Sequence, residues 1–149
     1  MRTVTSLPAT DLFMQGRDQT DNVRRGVVDV NELVEHGVNC AISSNNILNP
    51  FTPLGDGALL RMANLQANVC QIGHAHRLRE LFAMCTERPA KLMRLTDYGI
   101  AVGNPADIVV IDATTPEQAV AENAAPLVVF KRGARTVTRP RAELHRTVP

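Results

Sequence analysis

His74-Ala75-His76 is a literal His-x-His, the spacing that sets two imidazoles on one face of a β-strand, where both can ligate one divalent metal. Its flanks argue against that geometry. Gly73 closes one helix-forming stretch and another follows, and residues two apart on a helix do not face each other, so the pair reads as a solvated loop between helices. Ser44-Asn45-Asn46, at the end of the apolar run 38–42, is a second candidate. Amides and hydroxyls at a strand end either line a pocket or make a turn, which Asn favours. Cys40, Cys70 and Cys85 lack CxxC spacing and lie in apolar stretches, so they read as buried free thiols of a reducing compartment. His36 beside Gly37 suits a helix C-terminus, Asp56 suits the start of a helix, and His145 lies in a polar tail. Arg24-Arg25 reads as a solvated face, and Met62 and Met93 as core.

Composition narrows the class. The 149 residues make one domain-sized chain, long enough for a core, with ordinary apolar (44%) and charged (21%) content. A net charge of +1 without a basic stripe, and 3% aromatics without Trp, speak against a nucleic-acid partner. No apolar run is long enough to cross a bilayer, and polar Thr3, Thr5 and Asp11 break any signal-peptide core. The expectation is a cytoplasmic protein with no membrane partner.

The elements that must position these residues follow from local signals. Residues 2–9 read as a strand ended by Pro8, and 11–26 as a polar loop. Asp29 caps a helix with Glu32 three residues on, Leu33 and Val34 facing inward and Gly37 as the stop. A buried strand over 38–42 then completes a βαβ rhythm. After a Pro- and Gly-rich loop over 43–57, Ala58, Met62, Leu65, Val69 and Ile72 mark one helical face, ended by Gly73. A helix from about 76 to 85 turns in Leu78, Leu81, Phe82 and Cys85. Another, from about residue 86 with Pro89 in its first turn, turns in Leu92 and Met93. Beyond residue 100 the pattern changes to a strand over 107–112, a helix capped by Thr115 with Pro116 at its first position, a hairpin over 127–138 turning at Arg132-Gly133, and a basic tail expected to fray. Two parallel strands cannot close a barrel, so apolar edges are expected to stand open.

Several of these segments carry a resemblance in order and spacing. The run 37–55, Gly-Val-Asn-Cys-Ala-Ile-Ser-Ser-Asn-Asn-Ile-Leu-Asn-Pro-Phe-Thr-Pro-Leu-Gly, is similar to the last barrel strand and following loop of cytosine deaminase-like amidohydrolases. Ser6-Leu7-Pro8-Ala9-Thr10-Asp11-Leu12, Gln15-Gly16-Arg17 and Arg24-Arg25-Gly26 resemble the strand and loop before it. Asn68-Val69-Cys70-Gln71, and the stretch from Asp97-Tyr98-Gly99-Ile100 to Ala106-Asp107-Ile108, resemble the family's long helix and its return to a small β domain.

The resemblance implies an α/β fold: the C-terminal portion of a (β/α)8 metal-dependent hydrolase barrel, followed by strands of a small β-sandwich. It divides the chain into a partial barrel over 1–100, with its last two strands and following helices, sandwich strands over 101–139 and a tail over 140–149. It implies hydrolysis of non-peptide C–N bonds, such as deamination of cytosine or a similar small heterocycle. A divalent metal, zinc or iron, would activate water. In the family a His-x-His on the first strand, a His on a middle strand and an Asp at the end of the last hold that metal. The imidazoles would lie upstream of residue 1. Asn45 falls at the Asp position, where an amide can offer oxygen to a metal but cannot take a proton. Asn46 and Phe51 match positions near the substrate, and Asp11 lines the same region beyond the preceding strand. The chain alone is therefore expected to be inactive and to bind no catalytic metal tightly. The alternative is a non-catalytic relic, or a subunit completing a partner with the N-terminal part of the barrel. Sticky edges admit self-association as well.

Overall fold

The computed structural model describes residues 2–145. Strand β1 (Thr3–Ser6) runs parallel to β2 (Asn39–Ile42), with Thr3 opposite Asn39 and Ser6 opposite Ile42. Such a pair needs a crossover. Here it holds α1 (Pro8–Met14), an irregular loop and α2 (Val30–Glu35). The expected βαβ unit is present, with one correction. The segment read as the end of a strand and the start of a loop contains a helix, because Pro8 occupies its first turn instead of merely ending β1. Asp11 therefore sits on α1.

Asp29 caps α2 as expected, its carboxylate accepting from the Asn31 amide at 2.9 Å. Val30 is the helix's fully buried apolar residue, while Leu33 and Val34 pack at the margin of the core.

Helix α3 (Leu59–Val69) corrects the expected apolar face. Met62, Ala63, Gln66 and Ala67 are buried, and Val69 is 37% exposed. The inward face is rotated because Gln66, at 0% exposure, is drawn in by hydrogen bonds. Ser6 Oγ donates to its Oε1 at 2.8 Å, and its Nε2 donates to the Val28 carbonyl at 2.7 Å. The helix also stops earlier than Gly73, with Gln71 in the left-handed region at φ 53°.

Helix α4 (Ala75–Ala83) buries Leu78 and Leu81 and brings Phe82 and Cys85 against the core. In α5 (Glu87–Leu92) only Ala90 is buried, and Leu92 and Met93, expected inside, are 43% and 61% exposed. The six-residue helix packs on β2, its Arg88 carbonyl accepting from Asn39 Nδ2 at 3.0 Å, while its C-terminal end is exposed.

Beyond it, β3 (Ile108–Ile111), β4 (Pro126–Lys131) and β5 (Ala134–Thr138) form an antiparallel sheet in that order. The β4–β5 turn has positive φ at both Arg132 (49°) and Gly133 (81°), the type I′ geometry that matches strand twist. Helix α6 (Pro116–Ala121), capped by Thr115, leaves this sheet and docks on α3 and α4. Asn64 Nδ2 donates to the Val120 and Ala121 carbonyls at 2.9 and 3.1 Å, Arg79 pairs with Glu117 at 2.9 Å, and Val120 is fully buried in the main core. Residues 140–145 are exposed and without regular structure; 146–149, the rest of the expected frayed tail, lie outside the described residues.

The expected open apolar edges are only partly found. All four residues of β2 are buried, beneath α2, α3 and α5, and the Ile42 amide donates to the Met84 carbonyl at 3.0 Å. Exposed apolar side chains lie on the loop after β2, at Ile47, Leu48, Phe51 and Leu54, and again over 92–102, including Met93, Ile100 and Val102.

Two stability predictions follow from the core. Gln66→Ala leaves Ser6 and the Val28 carbonyl without their partner, and equilibrium denaturation should read a loss of about 2–4 kcal/mol. Cys85, expected to be buried, is half-buried, and desolvation pushes its thiol up to about 12 from 9.0. An unfolded chain releases that proton first, so stability should be complete below about pH 9 and fall as pH rises towards 12. Denaturation midpoints across that window should flatten in Cys85→Ala; an unchanged slope would assign the fall to other groups.

Candidate functional site

The C-terminal ends of β1 and β2 lie side by side, and the Ser43 amide extends the ladder by donating to the Ser6 carbonyl at 3.0 Å. The chain then turns. Asn45 adopts φ 63°, a left-handed conformation that Asn tolerates better than most residues. Its amide donates to Ser43 Oγ at 3.3 Å, and the Asn46 amide donates to the Ser44 carbonyl at 2.9 Å. Asn45 is exposed and Asn46 half-buried.

The rest of the loop is a small closed structure. Asn49 and Thr52 exchange two backbone hydrogen bonds at 3.2 Å, and Asn49 Oδ1 accepts from the Phe51 and Thr52 amides at 3.0 and 2.9 Å. Thr10 ties this loop to α1. Its hydroxyl lies 2.5 Å from Thr52 Oγ1 and 3.5 Å from the Ser44 carbonyl, and Thr52 is buried. Phe51 at 53% exposure presents its ring outward.

Asn45, Asn46 and Phe51 thus share one loop. Asp11 stands on the helix to which that loop is tied, next to Thr10. Burial raises the Asp11 carboxyl above its ordinary value. Thr10 and Thr52, which bring loop and helix together, were not singled out from sequence. A hydroxyl pair has no spacing signature, and only the long-range contact reveals it.

The donor set can be tested against a divalent metal. Asn45 and Asn46 offer neutral amides, and Ser43, Ser44, Thr10 and Thr52 offer hydroxyls. Zinc and iron sites are built from imidazole, thiolate or carboxylate. Among the described residues no group of three or more His, Cys, Asp or Glu is arranged to hold a metal. The loop residues do not by themselves fit the ion.

His74 ends the expected inter-helix loop, whereas His76 lies inside the following helix. His74 caps α4 and His76 lies in its first turn. Their rings stack at 5.9 Å between centroids and 22° between planes, His74 having extended backbone. Both are exposed, as a solvated pair should be. His36 is the C-terminal cap of α2, its Nδ1 2.8 Å from the Glu32 carbonyl oxygen.

Comparison with known proteins places this geometry. A model of the amidohydrolase family matches residues 3–137. The crystal structure of 5-methylcytosine deaminase from Klebsiella pneumoniae liganded with 5-fluorocytosine superposes with a TM-score of 0.85 and 29% identity, covering 95% of this chain and 35% of that one. N-isopropylammelide isopropyl amidohydrolase of Pseudomonas sp. (strain ADP) is 30% identical over 68% of this chain and 26% of its own length. Pterin deaminase of Rhizobium rhizogenes (strain K84 / ATCC BAA-868) is 29% identical over 87% of this chain and 30% of its own. The chain therefore spans about a quarter to a third of the curated relatives it matches.

If the stacked histidines hold no ion, replacing both His74 and His76 with Ala should leave zinc and iron content, read by elemental analysis, equal to that of the parent chain. A stoichiometric loss would make them ligands.

Proposed function

This chain belongs to the amidohydrolase family, and its 149 residues fit a C-terminal part of such an enzyme; on that premise we infer that the parent protein hydrolyses C–N bonds other than peptide bonds, by deamination of a small heterocycle such as cytosine. The observation that carries this reading is the parallel β1–β2 pair ending in the Asn45 loop, within a fold that superposes over nearly its whole length on a 5-methylcytosine deaminase.

In this reading β1 and β2 are the last two strands of a (β/α)8 barrel, whose chemistry gathers at the C-terminal ends of its strands. Residues 1–100 form the barrel portion, 101–139 supply strands to a small β-sandwich, and 140–149 form the tail. The protein works in the cytoplasm, consistent with its three free thiols. A zinc or iron ion, held by residues outside this chain, would supply an activated water. This chain's own part is to position. Asn46 and Phe51 border the heterocycle, Asp11 lines the same side, and Asn45 presents an amide where the family places a carboxylate.

A second reading has its own support. The Asn45 amide cannot accept a proton at neutral pH. Ile47, Leu48, Phe51 and Leu54 expose apolar surface on the same loop. Both suit a non-catalytic chain, or one that completes a partner bearing the N-terminal part of the barrel.

One experiment separates them. The upstream coding sequence is joined to or co-expressed with this chain, and ammonia release from cytosine, 5-methylcytosine and pterin is measured. The enzymatic reading expects turnover, and Asn45→Asp should raise it by about 10²–10⁴-fold if proton transfer at this position limits the rate. Turnover unaffected by the substitution would place the base elsewhere. No turnover in either form, with a stable complex, would favour the non-catalytic reading.

A further inference from the structure

A groove of about 770 Å³ runs between α1, the loop that follows it, the 52–54 segment and α3. Its floor is apolar, with Phe13, Leu54 and Leu65. Its charge is of one sign. Arg17, Arg25 and Arg61 line it, and no Asp or Glu does. Among the described residues none of the three arginines is in an ion pair.

Their direct contacts are with neutral groups. The Arg17 guanidinium lies 5.0 Å from the centroid of the Phe13 ring. Arg25 Nε donates to the Gln15 carbonyl at 3.4 Å, and Arg61 Nη1 to the Leu54 carbonyl at 3.5 Å. Asp11 and Asp56 form no ion pair with them. Asp11 on α1 is raised by burial with no offsetting arginine, and Asp56 is lowered first by backbone amides, with Arg61 a smaller influence.

The arginine-bearing segments are built rather than loose. Gly16 has φ +62°, and a Cβ there would lie 2.6 Å from Val23 Cγ1. Gln15 Oε1 accepts from the Gly26 amide at 2.7 Å, closing the same loop. Gly55 has φ +129°, a backbone conformation that other residues rarely adopt, and a Cβ there would lie 2.5 Å from Arg61 Nη1.

We propose that this groove binds an oxyanion carried on an apolar body, a carboxylate or phosphate ester received by Arg17, Arg25 and Arg61 while its ring or chain lies on Phe13, Leu54 and Leu65. Guanidinium groups present planar forks that match both oxyanions. Three like charges around an apolar floor repel one another until an anion arrives. The volume is that of a small-molecule cleft. The groove adjoins the loop and helix of the site proposed above, and its test reads binding by this chain without turnover.

The test titrates the purified 149-residue chain with naphthoate, naphthyl phosphate and neutral naphthamide, followed by two-dimensional NMR. At least one anion should saturate, with shifts at the Gly16 and Gly55 amides, and naphthamide should bind at least about tenfold more weakly. The preferred anion tells a carboxylate ligand from a phosphate one. Arg25→Ala and Arg61→Ala should each weaken the anion about tenfold and leave naphthamide unchanged. Exposed Arg17→Ala serves as a further variant should either fail to fold. Equal binding of amide and anions, no saturation by either anion, or folded arginine variants of undiminished affinity would overturn the proposal. So would binding of a short Glu- and Phe-rich peptide in place of both anions.

Discussion

The side-chain amide of Gln66 is the constraint on which the arrangement turns. It is wholly buried on α3, accepts from Ser6 at the end of β1 and donates to the backbone at Val28 just before α2. One side chain thus joins a strand end, the crossover and the long helix. A buried amide without partners would be costly, whereas a satisfied one admits few other arrangements. It therefore fixes the rotation of α3 and, with it, the surface to which α6 attaches through Asn64.

The loop after β2 inherits its position from this frame. Ser43 extends the ladder beside Ser6, the residue that Gln66 holds, and Thr10 on α1 grips the loop through Thr52. The hydroxyl pair and the Asn49 turn are local and polar, so the loop keeps its form while exposing Ile47, Leu48 and Phe51. Internal hydrogen bonds thus hold the loop's form without help from its apolar side chains.

Legibility in the sequence tracked how local the determining interaction was. The Asp29 and Thr115 caps, Pro116 and the Arg132-Gly133 turn act within a few residues, and each element they mark is where the sequence puts it. Pro8 misled because the same residue ends a strand and begins a helix. The face of α3 misled because apolar periodicity cannot register a glutamine drawn inward by partners 60 and 38 residues away. Leu92 and Met93 misled because a short helix need present only Ala90 to the core. Asn45, Asn46 and Phe51 fall on one loop after β2, the segment whose resemblance drew attention to them, whereas the threonine pair that holds that loop has no sequence signature.

The backbone at Asn45 does not distinguish an amide from a carboxylate. Asn and Asp both tolerate its left-handed conformation, and its amide bond to Ser43 Oγ belongs to the main chain. The turn would stand with either residue, so its fold and its chemistry are separable. What changes between them is charge and the capacity to hold a proton. A carboxylate here would be exposed and free of nearby cationic partners within the loop itself, so its acidity would be set by whatever faces it from outside residues 43–57. The loop is therefore a scaffold whose reactivity is decided by its surroundings. The same turn can serve a hydrolase or a purely structural contact without rearrangement.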